Sequence, residues 1–388
     1  MKTLIFTDLH FNRSFFSRES LTSNEIDKAQ RFLIETVKAE KPDLIVNIGD
    51  SFHNVTKEYV IMHMVALRNL YKEMLSYAPM IVVSGNHDYI DFKKGEYDLN
   101  TFYENLHNDK NGISVIAENK VVFKTYDALS AVFIFIPAIY KRDFLLNTFN
   151  VIKESIEDSF GHYKHKFVFG HFNIEEAFGA RAMVSDAVSL VNISFLSMVN
   201  RMYLGHYHLR KSLNKNKVQY IGAVRATQFD ELEDTNRGCL ILDLKNESFS
   251  EKYIDNPYSS VFFKQTTDSL DDKFSNYFFN ENRNHYLKIL QDPNKKHIEM
   301  LLDNYKFIKK FDHIEKEYDT KDDEVNDLLS LDIDTSSASE LKDFLVVLKD
   351  YLLKSSKYDF SNDEINATNI LLSQIEKEDT NKDVENES

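Results

Sequence analysis

The sequence predicts an α/β fold with two facing sheets, and three observations lead there. Short apolar runs bounded by turn residues recur at 2–7, 43–48, 79–84, 166–169 and 201–204, as expected of strands buried on both faces. Between the first three lie 24–40 and 57–75, whose apolar residues return at helical intervals, and such alternation builds a parallel sheet. Denser strand patterns at 132–136, 217–221, 239–244 and 248–254 supply a second sheet against the first.

Each of the first five runs closes on side chains that bind metals. Asp8 and His10 follow the first, Asp50 the second, Asn86 the third, His171 the fourth, and His206 with His208 the fifth. Ligands of open α/β sheets gather outside the carboxyl ends of the strands, so these ends can converge on one pocket. Side chains two apart on an extended segment point the same way, which would aim Asp8 with His10 and His206 with His208. Gly49, Gly85, Gly170 and Gly205 precede four of the blocks, where tight turns are expected. The set is too large for one ion that keeps a position open for water, whereas two ions sharing Asp50 fit. One would take Asp8, His10, Asp50 and His208, the other Asp50, Asn86, His171 and His206. Imidazole, carboxylate and amide donors suit manganese, iron or zinc better than calcium, and Mn2+ is the expected ion.

Read as TDLH (7–10), GD (49–50), GNHD (85–88), GH (170–171) and GHYH (205–208), the blocks resemble the calcineurin-like metallophosphoesterases at each ligand position. The resemblance implies a metallophosphoesterase β-sandwich flanked by helices, in α-β-β-α layers. The protein-phosphatase form of the second block, GDxxDRG, is not met, because Asp50 is followed by Ser51, Phe52, His53 and Asn54. A histidine three after the aspartate, as in GDSFH, is similar instead to SbcD-type double-strand-break repair nucleases. YIGAVRATQFDELEDTNRG (220–238) resembles the segment after the last histidine block in the small subunit of the tailed-phage recombination nuclease. The resemblance is firm to about residue 245 and looser beyond.

The expected chemistry is phosphodiester hydrolysis, in which two ions polarise the phosphorus and lower the pKa of a water that attacks in line. His87, next to Asn86, would be the general acid for the leaving 3′ or 5′ oxygen, with Asp88 orienting its ring or keeping it charged. The plainer alternative is that His87 only packs beside the site. By resemblance His53 has a substrate-phosphate or proton-positioning role; from the bare sequence, a hydrogen bond behind the ligands serves as well.

A net charge of −15 by itself argues against nucleic acid, since phosphate backbones reward lysine and arginine. Its distribution answers the objection: residues 312–388 carry 22 acidic and 8 basic side chains, so the preceding part is close to neutral. In the pocket two divalent ions would outweigh Asp8, Asp50 and a hydroxide, leaving positive charge where a phosphate would sit. Candidate DNA contacts are Arg210, Lys211, Lys215 and Lys217 after the last block, and Lys93 with Lys94 past GNHD, although a solvated loop explains either cluster equally well. No apolar run is long enough to span a bilayer, which speaks against a membrane protein, and residues 1–6 run straight into a ligand-bearing strand, which argues against a cleavable signal. The single Cys239 lies in an apolar run and reads as a buried strand thiol of a reducing compartment, in keeping with the cytoplasm of a bacterial or phage-infected cell.

Residues 1–258 are therefore expected to form the phosphoesterase domain. A small α+β capping domain over 259–319 would follow, with strands at 285–290 and 307–315 around a helix at 295–306, resembling the module that family members place over the site to sort DNA ends. An acidic linker (320–339), two C-terminal helices (340–378) and a charged, disordered tail (379–388) complete the chain. The helices carry the S-x-x-E spacing at Ser337 with Glu340 and Ser361 with Glu364, then apolar stripes through Leu341, Phe344, Leu345, Leu348 and Leu352, and through Ile365, Leu371, Leu372 and Ile375. They would pack back on the capping domain or dock on a partner, which by resemblance is an SbcC-type, SMC-like ABC ATPase, with a homodimer implied as well. The function expected is an Mn-dependent DNA nuclease, a 3′–5′ exonuclease on duplex ends and a single-strand endonuclease, acting as the small subunit of an ATP-dependent recombination and repair complex. A phosphodiesterase or phosphatase for small nucleotides shares every ligand, and a non-cutting subunit that tethers DNA ends is the alternative of another class.

Overall fold

A computed structural model describes residues 1–11, 19–53, 60–89, 111–117, 120–178, 187–227, 237–265, 285–289 and 311–313. In chain order the elements are β1 (Lys2–Phe6), α1 (Glu19–Glu40), β2 (Leu44–Asn47), α2 (Val60–Leu75), β3 (Met80–Val83), β4 (Ile113–Ile116), β5 (Val122–Tyr126), β6 (Ala131–Ile136), α3 (Arg142–Ser155), β7 (His165–His171), α4 (Glu175–Phe178), β8 (Arg201–Gly205), β9 (Lys211–Leu213), β10 (Val218–Tyr220), β11 (Gly238–Leu244), β12 (Phe249–Asp255), β13 (Val261–Gln265), β14 (His285–Ile289) and β15 (Phe311–His313).

Twelve of these strands form two mixed sheets of six, ordered β12-β11-β1-β2-β3-β4 and β5-β6-β7-β8-β10-β9. In the first, β1 to β4 run parallel and β11 and β12 are added antiparallel. In the second, β6, β7, β8 and β10 run parallel between the antiparallel edges β5 and β9.

Strand alternation explains how the sheets stack. Successive side chains leave a strand on opposite faces. Along β1, Leu4 and Phe6 join one apolar cluster with α1 and α2, through Phe32, Leu33, Val37, Leu67 and Tyr71, while Ile5 faces the other way. Along β6, Val132, Ile134 and Ile136 pack with Leu145, Phe149 and Ile152 of α3, whereas Phe133 and Phe135 turn inward. Inward residues of both sheets make a third cluster containing Ile5, Val46, Ile81, Phe133, Phe135, Phe167, Phe169, Tyr203 and Leu242. Helices thus cover the outer faces of a β-sandwich, the α-β-β-α layering the sequence implies. Burial on both faces is why the strands read as continuous apolar runs, and each fully buried Phe or Leu contributes about 1.5–3 kcal/mol. Within the inner layer the Phe135 and Phe169 rings stack at 5.0 Å, and Phe133 meets Phe167 edge to face at 5.6 Å.

Some elements differ from the sequence expectations. The fourth run, placed at 166–169, extends to His165–His171, so His171 is the last residue of a strand rather than a residue beyond it. Helix α1 begins five residues before the expected Asn24, at Glu19. Strands β4 and β5 and helix α3 had no counterpart; β4 and β5 lie at sheet edges, half buried, and lack the continuous apolar run that marks their neighbours. Beyond the sandwich, β13, β14 and β15 form a three-stranded parallel sheet. Its last two strands fall where the capping region was expected to carry them. The expected helix at 295–306, the linker, the C-terminal helices, the tail, Lys93 and Lys94 lie outside the described residues. Among those described, no helix is long and apolar enough to cross a membrane.

Candidate metal centre

The carboxyl ends of β1, β2 and β3 from one sheet and of β7 and β8 from the other meet along one edge of the sandwich. Beyond β1 and β2 the two chain segments stay zipped together: Asp8 N donates to Gly49 O at 3.0 Å, His10 N to Asp50 O at 3.0 Å, and Phe11 N to Ser51 O at 3.0 Å. The sheets join here as well, because His171 Nδ1 bonds Ile48 O at 2.7 Å and His206 N donates to Asp8 Oδ2 at 3.1 Å.

Local geometry departs from the extended segments expected. Asp8 (φ 53), His10 (φ 46), Asp50 (φ 52) and His206 (φ 83) all have left-handed backbone, which costs about 1–2 kcal/mol for each such non-glycine residue. Asp8 and His10 therefore converge through strained turns, not through the pleat of a strand. The glycines also act differently. Gly49 (φ 94) does make a left-handed turn, but Gly170 and Gly205 lie within strands. Gly85 and Gly205 are needed for close approach: a Cβ at Gly85 would lie 2.1 Å from Asp50 Oδ1, and one at Gly205 would lie 2.2 Å from Thr7 Oγ1 and 2.6 Å from Ile48 O.

The expected ligands come together in two groups. Asp8, His10 and His208 place ligand atoms within 4.8 Å of one another, and so do Asp50, His171 and His206. In the first group, His10 Nε2 and His208 Nε2 are 2.9 Å apart, and Asp8 Oδ1 lies 3.7 Å from the former and 3.6 Å from the latter. In the second, Asn86 Oδ1 is 2.7 Å from His206 Nδ1 and 3.2 Å from His171 Nε2. Asp50 Oδ2 faces both, at 3.6 Å from His10 Nε2 and 3.3 Å from His171 Nε2.

Burial sets the charges. It drives His10 well below the ordinary histidine range, and with the charge of His171 it brings His206 down to about 3. At His171 burial also pulls downward, but Asp50, by charge and hydrogen bond, and Asp8 outweigh it and hold the ring at about 9. Asp50, which burial alone would raise, is kept well below the usual carboxylate range by His171, His87 and His10. Burial raises Asp8. Four imidazoles, two of them (His10 and His206) kept neutral by burial, thus converge with one carboxamide oxygen and two carboxylates on a small volume, a donor set that suits a divalent transition metal better than a network of hydrogen bonds.

A calcineurin-like phosphoesterase family model matches residues 1–222. The chain belongs to the calcineurin-like phosphoesterase family. The family implies a divalent metal centre, and the two side-chain groups are the candidate ligands in this phosphoesterase. Similar curated proteins include the D subunit of the nuclease SbcCD from Staphylococcus saprophyticus, 23% identical with 66% of this chain and 68% of that one covered. Its namesake from Staphylococcus epidermidis is also 23% identical, over 58% of this chain and 63% of the relative, so the match spans somewhat under two thirds of that protein. Similar solved structures include GAP50, the anchor in the inner membrane complex of Plasmodium (15% identity, 67% and 86% covered, TM-score 0.42), and a dimetal phosphatase from Danio rerio (10% identity, 66% and 96% covered, TM-score 0.45).

Around the phosphoesterase ligands, His87 N donates to Asp50 Oδ1 at 2.9 Å, and its Nδ1 bonds His53 O at 2.6 Å. The His53 and His87 rings stack at 4.6 Å, and the His10 ring lies 5.1 Å from that of His87. Asp88 differs from expectation: its oxygens accept from Phe52 N at 3.1 Å and Gly85 N at 2.9 Å, so it ties two loops together, while the His53 carbonyl orients His87. Burial and the charge of Asp50 raise Asp88 to about 7.

The basic candidates follow β8 on the β9–β10 hairpin, whose Asn214, Lys215 and Asn216 are all left-handed, as the Asn-Lys-Asn turn suggests. Arg210 stacks over the Tyr253 ring at 3.6 Å, Lys211 Nζ donates to Ala177 O, and Lys217 Nζ donates to Ser197 O at 3.2 Å. Lys215 is exposed. Sequence reasoning missed Thr7, whose hydroxyl lies 2.8 Å from Asp8 Oδ2, and Thr227, 2.8 Å from His208 Nδ1. It also missed Arg225 and Arg237, buried arginines that donate to backbone carbonyls of the ligand loops. Thr7 lies inside TDLH, and Arg225, Thr227 and Arg237 inside the 220–238 stretch, so the motifs mark the neighbourhood of these residues but not their contacts.

Proposed function

We propose that the chain is an Mn2+-dependent DNA nuclease, cutting 3′–5′ from duplex ends and endonucleolytically in single strands. It would act as the small subunit of an ATP-dependent recombination and repair complex, with an SbcC-type ATPase as partner, a homodimer as its own assembly and the cytoplasm as its setting. The observation that carries the reading is Asp50, whose Oδ2 faces a ligand nitrogen of each group. Asp50 would then hold one ion with Asp8, His10 and His208 and the other with Asn86, His171 and His206. When bound, such a pair supplies Lewis-acid charge and an activated water. The names of the staphylococcal relatives support a nuclease in preference to a phosphatase.

The chain's own residues supply the rest. With Nδ1 held by the His53 carbonyl, His87 keeps Nε2 to donate a proton to the leaving oxygen, and the His53 ring stacked on it would meet the substrate phosphate. Asp88 holds the loops bearing both histidines in register. Lys215, with any charge Arg210, Lys211 and Lys217 still offer, and Lys93 with Lys94, would contact the DNA backbone. Residues 1–258 are the catalytic domain, 259–319 the cap, 320–339 the linker, 340–378 the partner-binding helices and 379–388 the tail.

The test offers the purified full chain, with Mn2+, linear duplex DNA, single-stranded DNA and bis-p-nitrophenyl phosphate, each with and without the ATPase and ATP. Metal-dependent DNA cleavage, stimulated on duplex ends by the ATPase, is expected. Hydrolysis of the small diester with neither DNA cut would make the chain a small-nucleotide phosphodiesterase.

A further inference from the structure

The two ligand groups are supported from different parts of the chain. His171 is fixed by Ile48 O, and Asn86 and His206 face each other within their own group, all within residues 1–222. The first group leans on residues from Gly222 onward. Gly222 turns with φ 79, a conformation that leaves room for His208 O and Arg210 N, where a Cβ would sit at 3.0 and 2.8 Å. Ala223 N then donates to His208 O at 2.9 Å, and Arg237 Nη1 donates to the same carbonyl. Thr227 Oγ1 is 2.8 Å from His208 Nδ1; with Nε2 turned to the ligand group, Nδ1 carries the proton and donates to the threonine. Arg225 spans the other ligand loop, Nε donating to Leu9 O at 3.1 Å and Nη2 to His10 O at 2.6 Å.

That last contact has a particular weight. Histidines that bind metals are usually aimed by a hydrogen bond from the second ring nitrogen. His10 Nδ1 is buried and has no hydrogen-bond partner among the described residues. Its ring is therefore aimed through its backbone, which is left-handed and strained, and which is gripped on its N–H side by Asp50 O and on its carbonyl side by the fork of Arg225. Asn256 in turn fixes the gripping segment, its side-chain amide donating to Val224 O at 2.9 Å and its backbone N to Arg237 O at 2.6 Å.

We propose that Arg225, Thr227 and Arg237 are positioning residues for one half of the metal centre, holding the Asp8, His10 and His208 group in place from a segment beyond the family-wide match. The inference rests on the two-ion reading. It predicts that the halves can be weakened separately, the Asp50, His171 and His206 group standing without these residues.

Mn2+ binding to the full chain, followed by equilibrium dialysis with metal analysis and by titration calorimetry, tests it. Thr227→Val, which keeps the shape and loses the hydrogen bond, is expected to weaken one of two ions about 10- to 100-fold and leave the other unchanged, with Thr227→Ser restoring binding. Arg225→Lys, which keeps the charge and loses the fork, should act the same way, and far-UV circular dichroism with a thermal melt shows whether each variant is folded. In a His206→Ala background Thr227→Val should weaken the remaining ion, whereas in a His10→Ala background it should change nothing. Equal loss at both sites, or no loss in either variant, overturns the inference and leaves the two-ion centre standing. An unsubstituted chain that binds fewer than two Mn2+ overturns the two-ion reading and this inference with it.

Discussion

His87 shows at the residue scale how position assigns a role. It is tied twice, by its backbone N to Asp50 and by Nδ1 to the His53 carbonyl, so its ring has one nitrogen left for proton transfer and little freedom to aim elsewhere. Changing it to Gln keeps the backbone contact with Asp50 and removes the acid. Turnover on DNA should fall by about 10²- to 10⁴-fold while two Mn2+ still bind, read as single-turnover rates beside metal analysis. A variant of unchanged rate would return His87 to a packing role. Cys239 is the complementary case: buried, with its thiol pushed up by burial, it should resist thiol-reactive dyes in the folded chain and react at once in denaturant. Fast labelling of the folded protein would contradict that placement. The candidate ligands were legible in the sequence because chemistry restricts such residues to types like Asp, Asn and His, here at strand ends. Thr227 and Arg225 lie in the 220–238 stretch that the sequence singles out, but their proposed roles were not legible there, since their partners are about 20 and 215 residues away.

Among the elements, the loop after β2 carries the most constraint. Asn47 at the end of β2, Ser51 just past Asp50 and Tyr71 on α2 form a buried triangle, with Asn47 Nδ2 donating to Tyr71 OH at 2.7 Å and to Ser51 Oγ at 2.9 Å, and the two hydroxyls 3.0 Å apart. The helix thereby holds the turn that presents Asp50. Tyr71→Phe keeps the packing but leaves the amide and the serine short of a partner, which should cost about 1–3 kcal/mol in urea unfolding. An unchanged unfolding midpoint would mean that water or a repositioned Ser51 takes over the bond. The same region separates what the sequence makes legible from what it hides. Strands buried on both faces announce themselves as apolar runs, whereas the half-exposed edges β4 and β5 do not. The aiming of Asp8 with His10 was expected from strand pleat, yet it comes from left-handed turns held by the neighbouring loop, bonded residue by residue, and by Arg225.

On the scale of the whole molecule, charge is divided between a near-neutral first part and an acidic end. Were DNA the substrate, as proposed, a chain of this charge would have to attract it locally. Arg210, Lys211 and Lys217 are each drawn onto the protein by a ring or carbonyl contact, whereas Lys215 stands exposed at the tip of its hairpin, where a phosphate can approach it. Lys215→Gln should lower the slope of log affinity against log salt by about 1 on duplex DNA, in a fluorescence-anisotropy titration. An unchanged slope would remove Lys215 from the contact surface. The acidic end leads to the last test. Its two apolar stripes follow a polar, acidic stretch, and the short helices the sequence predicts for them would not bury such stripes alone. Ending the chain after Asp334 removes both stripes and keeps every candidate ligand. Metal-dependent cleavage of single-stranded DNA should persist in the truncated chain, while co-purification with an SbcC-type ATPase and the ATP-stimulated cutting of duplex ends are lost together. Retained association would place the partner's contact elsewhere, and loss of the basal cleavage would mean that the stripes pack on the catalytic part, so the two arms separate docking from folding.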